Sequence, residues 1–202
     1  LVPMSDPEWT TWGCSPGCAV HLPGLPGYRV DEWYEPHRLG PNEPWITAHF
    51  REFLRNFKGT VWLNPDLADE YVQSGQIPNG KPYPADAMIA EFGRRFWRST
   101  PSWMMARAIT LKPEMIGLWG IDMSATDEYG YQRASMHYFI EIALKRGIKI
   151  VVPPECDLLY PPLMYAMSET DPVIIKWQAR KNELLGRAAA AQAQERASHE
   201  EF

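Results

Sequence analysis

Residues 116–131, IGLWGIDMSATDEYGY, place a carboxylate, Asp122, directly after a run of mostly apolar residues. A carboxylate there sits at the tip of a buried strand rather than on a solvated face. Asp122 is therefore a candidate to bind a ribose hydroxyl, act as a base or coordinate a metal; its structural alternative is to cap the following turn. Tyr129, Tyr131 and Arg133 follow it, and two phenols with a guanidinium can meet phosphate oxygens. The plainer reading makes them the first aromatic turn of a helix packed on a sheet.

Ser99, Thr100 and Ser102 surround Pro101 at the start of an apolar-periodic segment, the pattern of a helix N-terminus with Pro at its first position. The unpaired amides and dipole of such an end favour an anion, so these hydroxyls could hold a phosphate or a nucleotide sugar moiety. A simple cap is the competing role. Two histidines could move a proton: His37, in the turn after a strand, and His137, inside a helix beside Tyr138 and Phe139. A helical histidine is more often packed or solvated than reactive, whereas His37 is better placed to meet a substrate. The loop Cys14-Ser15-Pro16-Gly17 completes the candidate set.

The elements that must position these groups read as follows. Residues 9–13 and 30–34 are β-prone, and Pro36 stops the second strand. Apolar residues at 46, 50, 53, 54 and 57 have the three-and-four spacing of an amphipathic helix over 44–58, with Gly59 as its break. TVWLN at 60–64 is a third strand. Residues 64–84 carry several Pro and Gly and read as a long surface excursion of the kind that forms lids or binding segments. Helices are expected over 85–96 and 98–111, a strand over 115–123, a helix over 128–146 stopped by Gly147, and a last strand over 148–152. Strand and helix alternating with short links require a parallel sheet with crossover helices. The expected fold class is α/β, a Rossmann-like doubly wound sheet over residues 1–170, with a C-terminal helical tail over 171–202. In such a sheet ligands lie beyond the carboxyl ends of the strands, which would bring Asp122, the loop at Cys14, the turn at His37 and the helix start at Ser99 to one edge.

The 202 residues suffice for one α/β domain with a well-buried core. With 45% hydrophobic and 22% charged residues the composition is that of a folded globular chain. No window approaches the about 20 apolar residues of a membrane-spanning helix, so a cytoplasmic address is expected. A net charge of -5 disfavours gripping nucleic acid through the overall field. Cys14 and Cys18, with His21 and His37 nearby, would make a zinc site only if regular ligand spacing converged, and it does not. No metal is expected. Phosphate-loop, dinucleotide-turn, zincin and nucleophile-elbow motifs are missing from the sequence. The nine Trp imply an aromatic core or flat stacking surfaces at a site.

The segment STPSWMMARAITLKPEMIGLWGIDMSATDEYGYQ resembles the donor-binding core of bacterial lipooligosaccharide sialyltransferases and the related motility accessory factor glycosyltransferases. A resemblance to a group of phage-encoded proteins is closer, covering DPEW, DEWYEPH, STPSWMMARAI, IGLWGIDM, EYGYQR and PPECDLL. The resemblance implies a Rossmann-like domain that binds a nucleotide-activated sugar, such as a CMP-linked one, without a metal or other cofactor. It implies that Ser99, Thr100 and Ser102 meet the donor nucleotide, that Asp122 is the strand-end acid, and that Tyr129 and Tyr131 contact phosphate. Only His137-Tyr138 is comparable with that family's base. The family opens with an apolar strand and a Gly-rich loop, and this chain opens LVPMSDPEW, so that strand and loop are expected to be missing.

The expected function is a glycosyltransferase-like protein holding a nucleotide or nucleotide-sugar at the carboxyl edge of the sheet, with Asp122, His137 or His37 deprotonating an acceptor and Ser99, Thr100, Ser102, Tyr129, Tyr131, Arg133, Cys14 and Ser15 holding the donor. The alternative from another class is a non-catalytic phage module, a nucleotide sensor or an assembly component in the host cytoplasm, self-associating through its C-terminal helix. A DNA- or nucleobase-modifying accessory enzyme is disfavoured by the acidic charge.

Overall fold

The computed structural model describes residues 2–21, 23, 27–40, 43, 45–123, 127–154, 156–159 and 172–200, excepting the side chains of residues 18, 20, 21, 127–129, 157, 172, 173, 176, 191 and 193–200. Two compact units divide the chain, Leu1–Pro154 and Glu155–Phe202.

In the first unit, β1 (Trp12–Cys14), β2 (Glu32–Glu35), β3 (Thr60–Leu63) and β4 (Gly80–Pro82) form a parallel sheet in the order β1-β2-β3-β4, and β5 (Met115–Gly117) and β6 (Lys149–Val151) form a parallel pair. Parallel neighbours must be joined by crossovers. The connecting helices are α1 (Pro16–His21), α2 (Ala48–Asn56), α3 (Pro65–Gln73), α4 (Ala85–Phe92), α5 (Thr100–Thr110) and α6 (Asp127–Lys145). This is the α/β, Rossmann-like architecture expected from the alternation of strand and helix patterns. No helix of the described residues is long and apolar enough to cross a membrane.

Because side chains alternate across a strand, β2 and β3 each feed two layers. Trp33, Val61 and Leu63 point into a core with Phe50, Leu54 and Phe57 from the α2 segment and Leu67 and Tyr71 from α3. The three-and-four spacing of the α2 segment thus buries the stripe it encodes, and Thr47 caps the helix by accepting the Phe50 amide at 3.2 Å. Gly13 makes room for this layer, since a Cβ there would lie 2.6 Å from the Trp33 ring. The opposite face presents Glu32, Tyr34 and Trp62 to α5. A further aromatic core joins α4, α5 and α6, with Phe92 and Trp97 packed 5.6 and 5.1 Å from Phe139 and Trp97 5.0 Å from Trp103.

Three expected elements differ, one of them the helix over 85–96, which ends at Phe92 with Gly93 at φ 80°. Residues 64–84 are not a surface excursion: they fold into α3 and β4. Asn64 caps α3 by accepting the Asp66 amide at 3.0 Å, Pro65 sits in the first turn where its missing N–H costs nothing, and a Cβ at Gly80 would lie 2.5 Å from Leu63 Cδ1 and 3.0 Å from the Ile77 carbonyl oxygen. The prolines and glycines mark boundaries of short elements there. The strand expected over 115–123 stops at Gly117, because Gly120 and Met123 take φ of 71° and 51°, left-handed conformations that a ladder cannot include. Gly147, at φ 79°, ends α6 as expected.

The second unit contains a 3-10 turn, Asp157–Leu159, in which Leu158 is buried, and the long helix α7, Pro172–Glu200. Ile174, Ile175, Trp177, Leu184 and Leu185 of α7 are about half exposed.

Candidate functional site

A cavity of about 470 Å³ opens at the carboxyl ends of β2, β3 and β4. Its aromatic walls are Tyr34, Trp62, Tyr83 and Trp103, and its polar lining includes Asn64, Asp66, Asp86 and Thr100. Three helices begin there: α3 after Asn64, α4 after Pro84 and α5 after Ser99. For α3 and α4 this follows from the topology, since a helix directly after a parallel strand starts at that strand's carboxyl edge; α5 follows α4 in the chain.

Below the aromatic wall lies an ion-pair network. Arg107 of α5 donates to Glu32 through both guanidinium nitrogens, at 2.7 and 3.3 Å, and to the Tyr34 hydroxyl at 3.0 Å. Trp62 Nε1 and the Tyr34 hydroxyl also donate to Glu32, at 2.8 and 3.2 Å respectively. The guanidinium lies 4.3 Å from the Trp62 ring centre and 5.0 Å from that of Trp12. A mostly buried carboxylate is thus supplied with donors on both oxygens, which is the condition for tolerating its burial.

Burial sets the protonation of the wall. Burial pushes the Tyr34 phenol well above its ordinary value of 10.0, an effect that Arg107 opposes and Glu32 reinforces. Burial likewise pushes up Tyr83, again opposed by Arg107. Tyr83 donates to the Trp103 carbonyl at 2.7 Å, tying the end of β4 to α5. Both tyrosines are therefore neutral wall groups near neutral pH and do not act as bases.

Of the residues singled out in the sequence, Thr100 lines the cavity. Ser99 instead caps α5, accepting the Ser102 amide at 3.3 Å, and its Oγ lies 2.8 Å from the Oγ of the fully buried Ser102. His37 follows Pro36, a cavity residue, and its Nδ1 is 2.7 Å from Glu35 Oε1. Cys14 ends β1 partly buried, and Ser15 beyond it is exposed with φ 77°. Asp122 lies past β5 between the left-handed Gly120 and Met123 and is partly buried. On α6, Tyr131 is 74% exposed, Arg133 is partly buried and His137 is exposed; the Tyr129 side chain lies outside the described residues. Cys14, Ser15, His37, Ser99, Ser102, Asp122, Tyr131, Arg133 and His137 are not among the residues around this cavity. Among the described residues no three His, Cys, Asp or Glu side chains converge as a metal site.

The residues that build the cavity were carried by signals of lesser contrast. Asn64-Pro65 and Pro84-Ala85-Asp86 are helix-start patterns directly after strands, and Glu32-Trp33-Tyr34-Glu35 alternates across its strand. Compared with protein-family models, with curated proteins and with solved structures, the chain finds no match in any of the three.

Proposed function

We propose that the cavity binds a nucleotide or nucleotide-sugar and that the protein is glycosyltransferase-like. The observation that carries this reading is the cavity's position: it lies at the carboxyl edge of a parallel sheet, between three helix starts, with Tyr34, Trp62, Tyr83 and Trp103 as walls. Its volume of about 470 Å³ is that of a small-molecule site. Flat aromatic faces suit a nucleobase or the apolar face of a sugar ring. The Asp66 and Asp86 carboxylates suit ribose or sugar hydroxyls, and the amides at the start of α5 with Thr100 suit phosphate oxygens. The resemblance of residues 99–132 to the donor-binding core of sialyltransferase-like enzymes points the same way, since α5 supplies both Thr100 and Trp103.

The test is a thermal-shift and calorimetry screen with CMP, UDP, GDP and their sugar conjugates. Stabilisation by at least one, reduced in Thr100→Ala, is the expected result; a screen with no stabilisation refutes the reading.

A second reading is self-association through α7. Ile174, Trp177 and Leu184 recur at helical spacing and are each about half exposed, which fits a helix that pairs with a second copy. A light-scattering mass equal to one chain, unchanged in Trp177→Glu with Leu184→Glu, would dismiss it.

A further inference from the structure

Three arginines stand together in the link between α4 and α5, which reads Gly93-Arg94-Arg95-Phe96-Trp97-Arg98-Ser99. Arg94, Arg95 and Arg98 are exposed. Other arginines of this unit are neutralised: Arg29 by Asp31, Arg38 by Glu70, Arg107 by Glu32 and Arg146 by Glu91. The last pair also occupies the acid of α4 nearest the link. Among the described residues Arg94, Arg95 and Arg98 have no ion-pair partner. In a chain of net charge -5, the link is a local reversal of sign, and the mutual repulsion of its cations is relieved by a bound anion.

The link is braced. Gly93 ends α4 at φ 80°, and Phe96 takes φ 69°, a left-handed conformation that a bulky side chain rarely adopts and that clusters at binding sites. Trp97 anchors the segment: its Nε1 donates to the Gly93 carbonyl at 2.7 Å, and its ring packs 5.0 and 5.1 Å from those of Trp103 and Phe139. Phe96 stays 39% exposed. Its ring stacks on Tyr138 at 4.5 Å and 21°, and the Tyr138 hydroxyl donates to the Phe92 carbonyl at 2.8 Å. The core thus holds an outward aromatic ring in a segment whose other outward groups are guanidiniums.

We propose that this link binds single-stranded nucleic acid, with Arg94, Arg95 and Arg98 on its phosphates and a base stacked at Phe96. Guanidinium forks match phosphate oxygens, and aromatic faces between cations are how single strands are held without sequence preference. A base reaches such a ring only when it is unpaired and unstacked from its neighbours. The grip is local and salt-sensitive, because the rest of the chain is acidic. The proposal stands apart from the cavity reading.

The test is fluorescence anisotropy of the full chain with a labelled oligothymidylate of about 12 nucleotides, within the span of a one-domain site. Binding at low salt is expected, with log K falling against log salt at a slope of about -2, the value for three phosphates of a single strand. Each arginine changed to Gln should lower that slope by about 0.7, and changing all three should abolish binding without moving the melting temperature. Phe96→Ala should weaken binding about tenfold and keep the slope. Thr100→Ala, a cavity variant, should leave the oligonucleotide affinity unchanged, so the two readings fail separately. No binding at the lowest salt, binding that survives the triple arginine variant, or a folded Phe96→Ala with unaltered affinity overturns the proposal. So does polyglutamate that displaces the oligonucleotide as well as unlabelled oligonucleotide does, since that marks a surface for any polyanion. Should Phe96→Ala fail to fold, the arginine variants and the polyglutamate competition decide.

Discussion

Arg107 of α5 and Glu32 of β2, 75 positions apart in sequence, form a two-pronged ion pair at 2.7 and 3.3 Å, packed between the Trp62 and Trp12 rings. The pair joins the helix that carries Thr100 and Trp103 to the strand that carries Tyr34. It thereby sets the spacing of two cavity walls.

Removing Arg107 leaves Glu32 with neutral donors only, and the cost of an uncompensated, mostly buried carboxylate is about 3 kcal/mol. The lost guanidinium contacts with two indoles add about 0.5–1 kcal/mol each. Arg107→Ala is therefore expected to lower the urea midpoint strongly. A loss under about 0.5 kcal/mol in Arg107→Ala, the range of an ordinary surface site, would contradict the structural role given to the pair.

The buried phenols make a prediction about alkaline pH. Folded Tyr34 and Tyr83 titrate above the ordinary value of 10.0 because burial disfavours their anions. Their contribution is fully present below pH 10 and is lost as pH rises through the unfolded value toward the folded ones, since the unfolded chain releases these protons first. Stability should fall above about pH 10, more steeply in the unaltered protein than in Tyr83→Phe. Absorbance near 295 nm should show two phenols ionising only with unfolding; their free titration before unfolding would contradict their burial.

Ser99 and Thr100 separate two roles that the sequence left open. Ser99 accepts an amide and pairs with buried Ser102, so Ser99→Ala should cost about 1 kcal/mol and leave ligand affinity alone. Thr100 lines the cavity, and Thr100→Ala should weaken nucleotide binding with little effect on the melting temperature of the unliganded protein. The reverse pattern would exchange the assignments.

Legibility in the sequence followed the strength of local signals. The α2 stripe at 50 and 54, the Ser99-Pro101 start of α5 and the Gly147 stop of α6 are periodicity or capping signals, and each appears where expected. The β3 run was equally plain. Residues 64–84 misled because Pro and Gly mark element ends as well as loops, and here they bound a nine-residue helix and a three-residue strand. The strand over 115–123 was overextended because apolar composition cannot report the left-handed backbone at Gly120 and Met123. The site was legible as an edge, the carboxyl end of a parallel sheet, and not as a residue set. Its walls come from alternate positions on three strands and one helix, a convergence fixed by register rather than by adjacency.

Gly13 tests the register itself. A methyl group there would lie 2.6 Å from the Trp33 ring, so Gly13→Ala must displace a fully buried indole or the β1 backbone. The expected cost is about 1–3 kcal/mol, with a shift of the Trp emission maximum. Unchanged stability and emission would mean that β1 does not lie over Trp33.

We propose that the cavity between β2, β3, β4 and α5 binds a nucleotide or nucleotide-sugar. Isothermal titration of the full chain with CMP, UDP, GDP and their sugar conjugates tests it most directly, with Thr100→Ala and Asp86→Ala as cavity variants and Ser99→Ala as the capping control. Saturable binding of at least one is expected, stabilising the fold by about 2.7 kcal/mol at roughly 100 times Kd, weakened in both cavity variants and kept in the control. Heats indistinguishable from dilution for every ligand, or binding that neither cavity variant alters, would contradict it.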